Sequence, residues 1–234
     1  MSSIPSMYAN HEFKFTYGNH LAAKVVNWME KRCVPDPTFP ASRISSIYYD
    51  SRDWIILREK LNSEYLKLKI RVRWYADAHS SQLFPSNFIE AKYKIGSARK
   101  KVRMPSGRES DWLATAPMYL PDFMQLPPLL RSLGVVLREN LFPAFQVSYT
   151  RRRFIDPLTG ARLCVDQDIH VPRTNPLMIS TTRPVCMPVG VVEYKQQGYD
   201  DFPDWLSQIN AFQGRRAAFS KYLASFQHIT NFQH

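Results

Sequence analysis

The stretch Tyr65-Leu66-Lys67-Leu68-Lys69-Ile70-Arg71-Val72-Arg73-Trp74-Tyr75 constrains the fold more than any other part of the sequence. Read with a period of two, Leu66, Leu68, Ile70, Val72 and Trp74 share one face, and Lys67, Lys69, Arg71 and Arg73 share the other. That period belongs to a β-strand. Four like charges along one strand face repel one another. Such a face either looks at water or lines a cavity that holds an anion, and one strand does not decide between the two.

The same division returns along the chain. Residues 10–15 read as a strand, with Glu12 and Lys14 opposite Phe13 and Phe15. A helix is expected over 19–32, because Leu21, Val25, Trp28 and Met29 fall on one stripe, and Pro35 ends it. Residues 45–50 form a second strand, after which Asp50 and Ser51 offer caps to a short helix through Ile55, Ile56 and Leu57. Glu90, Lys92 and Lys94 share a face of a strand over 88–94. Gly96-Ser97 then turns the chain into 99–104, where Arg99, Lys101 and Arg103 align, so the two segments read as a hairpin with matched charged faces. Residues 110–140 read as helix broken by prolines, with Leu129, Leu130, Leu133 and Leu137 as its core stripe. Residues 145–154 form a strand with Tyr149, Arg151 and Arg153 on one face. The turn Asp156-Pro157-Leu158-Thr159-Gly160 leads into a strand over 161–169 that sets Arg162, Cys164, Asp166 and Asp168 against Leu163 and Val165. A last strand over 191–195 carries Glu193 and Lys195, and two helices are expected over 203–212 and 215–227. No repeat or low-complexity segment appears, and the chain reads as one domain over 1–234.

A net charge of +11 points to an anionic partner: nucleic acid, a membrane surface or phosphate-rich small molecules. No apolar run approaches a membrane span, and Met1-Ser2-Ser3-Ile4-Pro5 lacks a signal-peptide layout. Three widely spaced cysteines suit neither a disulfide framework nor a metal cage, so a reducing, cytoplasmic setting is expected. The histidines lack metal-ligand spacing.

If the helices cover the apolar strand faces, the charged faces must point inward. That describes an α+β fold built on an antiparallel β-barrel with a charged lumen, helices outside it and a C-terminal helix at one mouth. Burying these charges without partners would be prohibitive, so the lumen must hold water and a ligand of opposite sign. Basic groups dominate the strand faces, and arginine forks match phosphate oxygens. The minority carboxylates either orient the basic residues or hold a divalent metal that bridges phosphates.

The segments Arg71-Val72-Arg73-Trp74-Tyr75, Phe88-Ile89-Glu90-Ala91-Lys92, Tyr149-Thr150-Arg151, Val192-Glu193-Tyr194-Lys195 and Phe219-Ser220-Lys221-Tyr222 resemble, in order and spacing, the VTC domain. This is the catalytic domain of ATP-dependent polyphosphate polymerases, within the triphosphate tunnel metalloenzyme (CYTH-like) superfamily. The resemblance implies a tunnel-shaped barrel acting on ATP and on inorganic polyphosphate or tripolyphosphate, with Mn²⁺ or Mg²⁺ as cofactor. It implies catalytic roles for Arg71, Arg73, Lys92, Arg151 and Arg162. Lys14, Lys101, Arg103, Tyr149, Lys195 and Lys221 would bind phosphate, with Lys221 capping one mouth, and Glu193 and Glu12 would bind the metal. Two departures stand out. The superfamily opens with Glu-x-Glu-x-Lys, whereas Asn10 occupies the first glutamate position here; and Ala218 stands where the VTC branch often has a second lysine.

Phosphoryl transfer to a chain-terminal phosphate needs charge neutralisation and alignment more than a general base. Hydrolysis needs a positioned water, for which Glu12 and Glu90 are the available carboxylates, and a metal-dependent tripolyphosphatase or nucleoside triphosphatase is the alternative. A non-catalytic polyanion binder is the third reading. Nucleic acid fits it poorly, because Phe13, Phe15, Trp74 and Tyr93 alternate away from the charges and leave no stacking platform among them.

Overall fold

The computed structural model describes residues 10–62, 64–95, 98–180, 183–197 and 203–231. In chain order the strands and α-helices are β1 (Asn10–Gly18), α1 (Ala22–Glu30), β2 (Val34–Pro35), β3 (Ala41–Asp50), α2 (Ile55–Leu61), β4 (Leu66–Ala76), β5 (Leu83–Ile95) and β6 (Ala98–Pro105). There follow α3 (Ser110–Thr115), α4 (Pro121–Met124), α5 (Leu126–Leu129), β7 (Phe142–Ile155), β8 (Arg162–Val171), β9 (Val185–Cys186), β10 (Val189–Gln197), β11 (Arg215–Arg216) and α6 (Lys221–Asn231). The protein is thus α+β and rich in antiparallel sheet. Among the described residues, no helix is long and apolar enough to cross a membrane.

The elements form two compact units. The first comprises the described parts of Met1–Ala41, Thr150–Ile169 and Pro188–Phe219. Its strands pair antiparallel in the order β11-β1-β10-β8. The register sets Lys14 opposite Glu193 and Glu12 opposite Lys195, so opposite charges face each other across the ladder. The alternate residues point the other way and are covered by α1. Val25, Val26 and Met29 pack with Leu163, Val165, Val192, Tyr194, Leu206 and Ile209, while Phe13, Phe15 and Trp28 lie partly buried against them. Each fully buried aliphatic side chain contributes about 1.5–3 kcal/mol, so α1 holds this face by its stripe. The backbone N–H of Cys33 closes the helix end on the Met29 carbonyl at 2.8 Å, and β2 then pairs with the end of β7.

The second unit comprises the described parts of Ser42–Tyr149, His170–Met187 and Ser220–His234. Its main ladder runs antiparallel in the order β3-β4-β5-β6. Ile47 and Tyr49 of β3, Ile70, Val72 and Trp74 of β4, and Ile89 and Ala91 of β5 are buried, as are Leu113, Phe123, Leu126 and Leu130 from α3 to the turn after α5. The Tyr49 hydroxyl donates to the Phe123 carbonyl at 3.0 Å. The expected caps of α2 are present: Asp50 accepts the N–H groups of Ile56 and Leu57, and Ser51 accepts that of Ile55. In α6, Tyr222, Ser225 and Ile229 are buried at helical spacing.

Three expectations are corrected. The described strands do not pair into a closed ring, since β11 and β6 end the pairing path, so the antiparallel sheet is present and the closed barrel is not. The second C-terminal helix does not begin at Arg215. Arg215 and Arg216 pair instead with Thr16 and Phe15 of β1, and α6 starts at Lys221. Of the leucine stripe only Leu130 is fully buried. Leu129 and Leu133 are exposed, because Pro127 and Pro128 break the segment into short turns that lose the phase of a continuous helix. The Asp156–Gly160 turn is as expected, with Gly160 at φ +68° and its N–H on the Asp156 carbonyl. The Gly96-Ser97 turn and the N-terminal Met1–Pro5 segment lie outside the described residues.

Candidate functional site

In the second unit, register places Tyr48, Arg71, Glu90 and Arg103 on one rung across four strands. Arg71 is opposite Glu90 and holds it through Nε at 2.9 Å and Nη2 at 2.8 Å. The other Glu90 oxygen meets the Lys101 ammonium at 2.7 Å. The Glu90 carboxylate is 2% exposed. Burial alone would push its pKa up, but Arg71, Arg73 and Lys101 outweigh burial and hold it down at about 2. Arg73, itself buried, donates to Ser46 Oγ at 3.0 Å and to the Tyr149 hydroxyl at 3.3 Å.

The next rung is Lys69, Lys92 and Lys101, three cations in register on adjacent strands, and beyond it Lys67 stands opposite Lys94. Lys69 donates to Ser220 Oγ at 3.2 Å. Lys221, the first residue of α6, is buried, with its ammonium 4.5 Å from the centre of the Tyr149 ring. Lys92 is exposed. Arg103 is also exposed and lays its guanidinium 4.5 Å over the Phe88 ring, so it shares the rung with Glu90 without joining that ion pair. Like charges on adjacent strands repel one another, and a dense anion would offset that repulsion.

Because Glu90 is held ionised in the fold, its contribution to stability has a defined pH window. The carboxylate is favoured in the folded state, so the contribution is fully present above an unfolded glutamate's pKa of about 4.3 and is lost as pH falls toward 2. Melting temperature followed from about pH 5 to pH 2.5 should fall more steeply for the wild type than for Glu90→Gln. Equal slopes would mean that Glu90 is not the group being titrated.

In the first unit the charged face carries Glu12 and Lys14 of β1, Arg151 of β7, Arg162, Cys164 and Asp166 of β8, and Glu193 and Lys195 of β10. Arg151 forks onto the fully buried Asp166, Nε to Oδ1 at 2.6 Å and Nη2 to Oδ2 at 2.7 Å, and Nη2 also reaches Glu193 at 3.1 Å. The fork fixes the guanidinium plane. The Lys14 ammonium lies 3.1 Å from Glu12 and 3.6 Å from Glu193, and donates to the Phe219 carbonyl at 3.2 Å. Lys195 is 3.7 Å from Glu193. Cys164 stands opposite Glu193, and burial raises its thiol pKa, so it is not a ready thiolate. Arg162 lies opposite Lys195 and is exposed, apart from the ion-pair set.

The structure therefore brings together Arg71, Arg73, Lys101, Tyr149 and Lys221 in one unit, and Lys14, Glu12, Arg151, Glu193 and Lys195 in the other. Lys92, Arg103 and Arg162 share these faces but stand at their exposed positions. Two participants were not singled out from sequence, Tyr48 and Ser46 on β3, whereas Asp166, expected on the charged face, is the seat of Arg151. The period of two over 45–50 places Ser46 and Tyr48 opposite Ile47 and Tyr49, which was the available signal.

Among the described residues, no three His, Cys, Asp or Glu side chains come together as a metal cage. Glu12 and Glu193 nevertheless converge on one point, now taken by the Lys14 ammonium, and supply hard oxygen donors there. One or two carboxylates completed by substrate oxygens and water is the usual protein share of a Mg²⁺ site, and Mn²⁺ accepts the same donors. The residues fit such an ion.

The family model described as VTC domain matches residues 9–230. No curated protein matches the chain. Among solved structures, a "putative adenylate cyclase" from Vibrio parahaemolyticus is 11% identical with a TM-score of 0.44, over 92% of this chain and 97% of that one. A conserved hypothetical protein from Pyrococcus furiosus is 10% identical with a TM-score of 0.44, over 92% and 99%. A "putative adenylate cyclase" from Bacillus halodurans is 12% identical with a TM-score of 0.43, over 91% and 95%. At TM-scores below 0.5, nothing about this chain's chemistry follows from these likenesses.

Proposed function

The chain belongs to the VTC domain family, and on that premise we propose that it is an ATP-dependent polyphosphate polymerase. A terminal phosphate oxygen of the growing chain attacks the γ-phosphorus of ATP, the bond from that phosphorus to the β,γ-bridging oxygen breaks, and ADP leaves. The observation that carries this reading is the all-cation rung Lys69, Lys92 and Lys101 beside the buried Arg71–Glu90 pair. Such a face suits a ligand with one negative charge every few ångströms. Arg71, Arg73 and Lys101 would grip phosphate oxygens, Lys92 and Arg103 would meet the chain at the exposed positions, and Tyr149 and Lys221 would bound the face. On the other charged face Arg151 would serve the transferring group, while Lys14, Arg162 and Lys195 would bind further phosphate.

Glu193 and Glu12 would hold a Mg²⁺ or Mn²⁺ together with substrate oxygens, and that ion would neutralise charge on the β- and γ-phosphates. The state of the carboxylates favours transfer over hydrolysis. Glu90, held down near 2 by its cations, is a poor base for a water, and Asp166 and Glu193 are likewise occupied by Arg151. A phosphate nucleophile is already ionised and needs no base.

The test is to incubate the protein with ATP and Mn²⁺, resolve the products on a gel and assay free phosphate. A polyphosphate ladder with ADP supports the polymerase. Free phosphate without a ladder moves the assignment to a triphosphatase, and neither product with tight tripolyphosphate binding makes the domain a binding module. Independently of turnover, tripolyphosphate should raise the melting temperature. At a hundred times Kd the stabilisation is about 2.7 kcal/mol, which for a chain of this size is roughly 5–10 °C. A flat response at millimolar tripolyphosphate would mean that these charges do not form a polyanion site.

A further inference from the structure

Tyr48 is not among the residues that the family resemblance marks as functional. It is 2% exposed, which by itself suits a core tyrosine. Its strand phase does not. Ile47 and Tyr49 point to the apolar side, whereas Tyr48 stands in register with Arg71 on the charged side. Its hydroxyl accepts an N–H from Arg71 Nη1 at 3.4 Å. Among the described residues it donates its own proton to nothing. The Lys69 ammonium lies 5.9 Å from the ring centre and the Arg71 guanidinium 6.0 Å, so both cations flank the same ring. The ring also packs against Tyr222 at 5.1 Å and Phe145 at 6.1 Å between centroids. A buried O–H donor without an acceptor is costly, and natural proteins rarely keep one without a partner to come.

We propose that Tyr48 is a second phosphate-binding hydroxyl, donating its proton to a substrate phosphate oxygen that Arg71 grips at the same time. The arrangement parallels Arg73 and Tyr149, where the guanidinium again donates to the tyrosine oxygen. An arginine N–H on the phenol oxygen polarises the O–H and strengthens it as a donor to an anion. Two arginine–tyrosine pairs at successive same-face positions of β4 would then address successive phosphates. The ring, wedged by Tyr222 and Phe145, leaves the hydroxyl little freedom, so the donor is preorganised. This proposal rests on the reading of the face as a phosphate site.

The test is tripolyphosphate binding by calorimetry at 25 °C to the wild type and to Tyr48→Phe, beside the melting temperature of each protein without ligand. The substitution keeps the ring and its stacking. A hydrogen bond to a charged partner predicts affinity weaker by about 10- to 100-fold, with the ligand-free melting temperature unchanged or raised. Unchanged affinity overturns the role of Tyr48 and leaves the phosphate face standing, whether or not the melting temperature falls. Failure of the wild type to bind tripolyphosphate overturns both. A second measurement does not depend on the variant: in wild-type protein labelled with ¹³C at tyrosine Cζ, the Tyr48 signal should shift on saturation with tripolyphosphate. A signal that stays put overturns the proposal.

Discussion

Replacing Arg71 by alanine is expected to lower kcat/KM for ATP by about a hundredfold or more, the usual cost of losing one preorganised contact to a reacting group. The expectation rests on how completely the side chain is fixed. Two of its nitrogens hold Glu90 and the third reaches the Tyr48 hydroxyl, so the guanidinium is placed before substrate arrives. The substitution also removes a main counter-charge of a carboxylate that is 2% exposed. Lys101 and Arg73 remain near Glu90, and the fold is expected to survive with a lowered melting temperature. Arg71→Lys separates the two effects. A lysine can keep the charge beside Glu90 but cannot serve the carboxylate through two nitrogens and the phenol at once. It should recover most of the stability and little of the rate. Near-normal turnover in Arg71→Ala would remove Arg71 from the site.

Why Arg71 was legible from the sequence, while Tyr48 was not, is a matter of contrast. In β4 the alternation is between aliphatic side chains and cations, and nothing but a two-faced strand explains it. The hairpin of β5 and β6 was legible for the same reason, its matched charged faces, while the register that pairs Lys92 with Lys101 and Glu90 with Arg103 is a finding of the structure. In β3 both faces carry aromatic and small residues, and the period is present without a difference in polarity to reveal which face is which. Arg215 and Arg216 show another limit. They pair with β1 because Thr16 and Phe15 offer backbone groups at a sheet edge, a partner some two hundred residues away that no local pattern announces. Closure of a sheet is non-local in the same sense. Alternation tells which face a residue takes and says nothing about whether the end strands meet. The leucine stripe failed locally, since Pro127 and Pro128 reset the helical phase on which the reading of Leu129 and Leu133 depended.

Glu193→Gln should abolish metal-dependent turnover while leaving the protein folded. The side chain keeps its shape and its place on β10 opposite Cys164, and the apolar residues beside it, Val192 and Tyr194, stay in the core under α1. What changes is charge. Glu193 faces Lys14, Arg151 and Lys195 within 3.7 Å, so its removal leaves three cations with one fewer anion among them. Two consequences follow, and they are separable. Arg151 loses one partner but keeps the fork to Asp166, which limits its displacement. A divalent ion loses one of two carboxylates, and raising its concentration cannot restore the missing donor. Titrating Mn²⁺ into protein saturated with tripolyphosphate, followed by electron paramagnetic resonance, reads the second effect directly. Wild type should show a bound population that Glu193→Gln lacks, and Glu12→Gln should weaken it less, since Glu12 is the more exposed of the two. If Glu193→Gln binds Mn²⁺ as the wild type does, yet loses turnover, then Glu193 acts through Arg151 and the ion is held elsewhere. If both binding and turnover persist, the face around Lys14 and Arg151 has no part in the reaction, and the phosphate chemistry belongs to the Arg71 face alone.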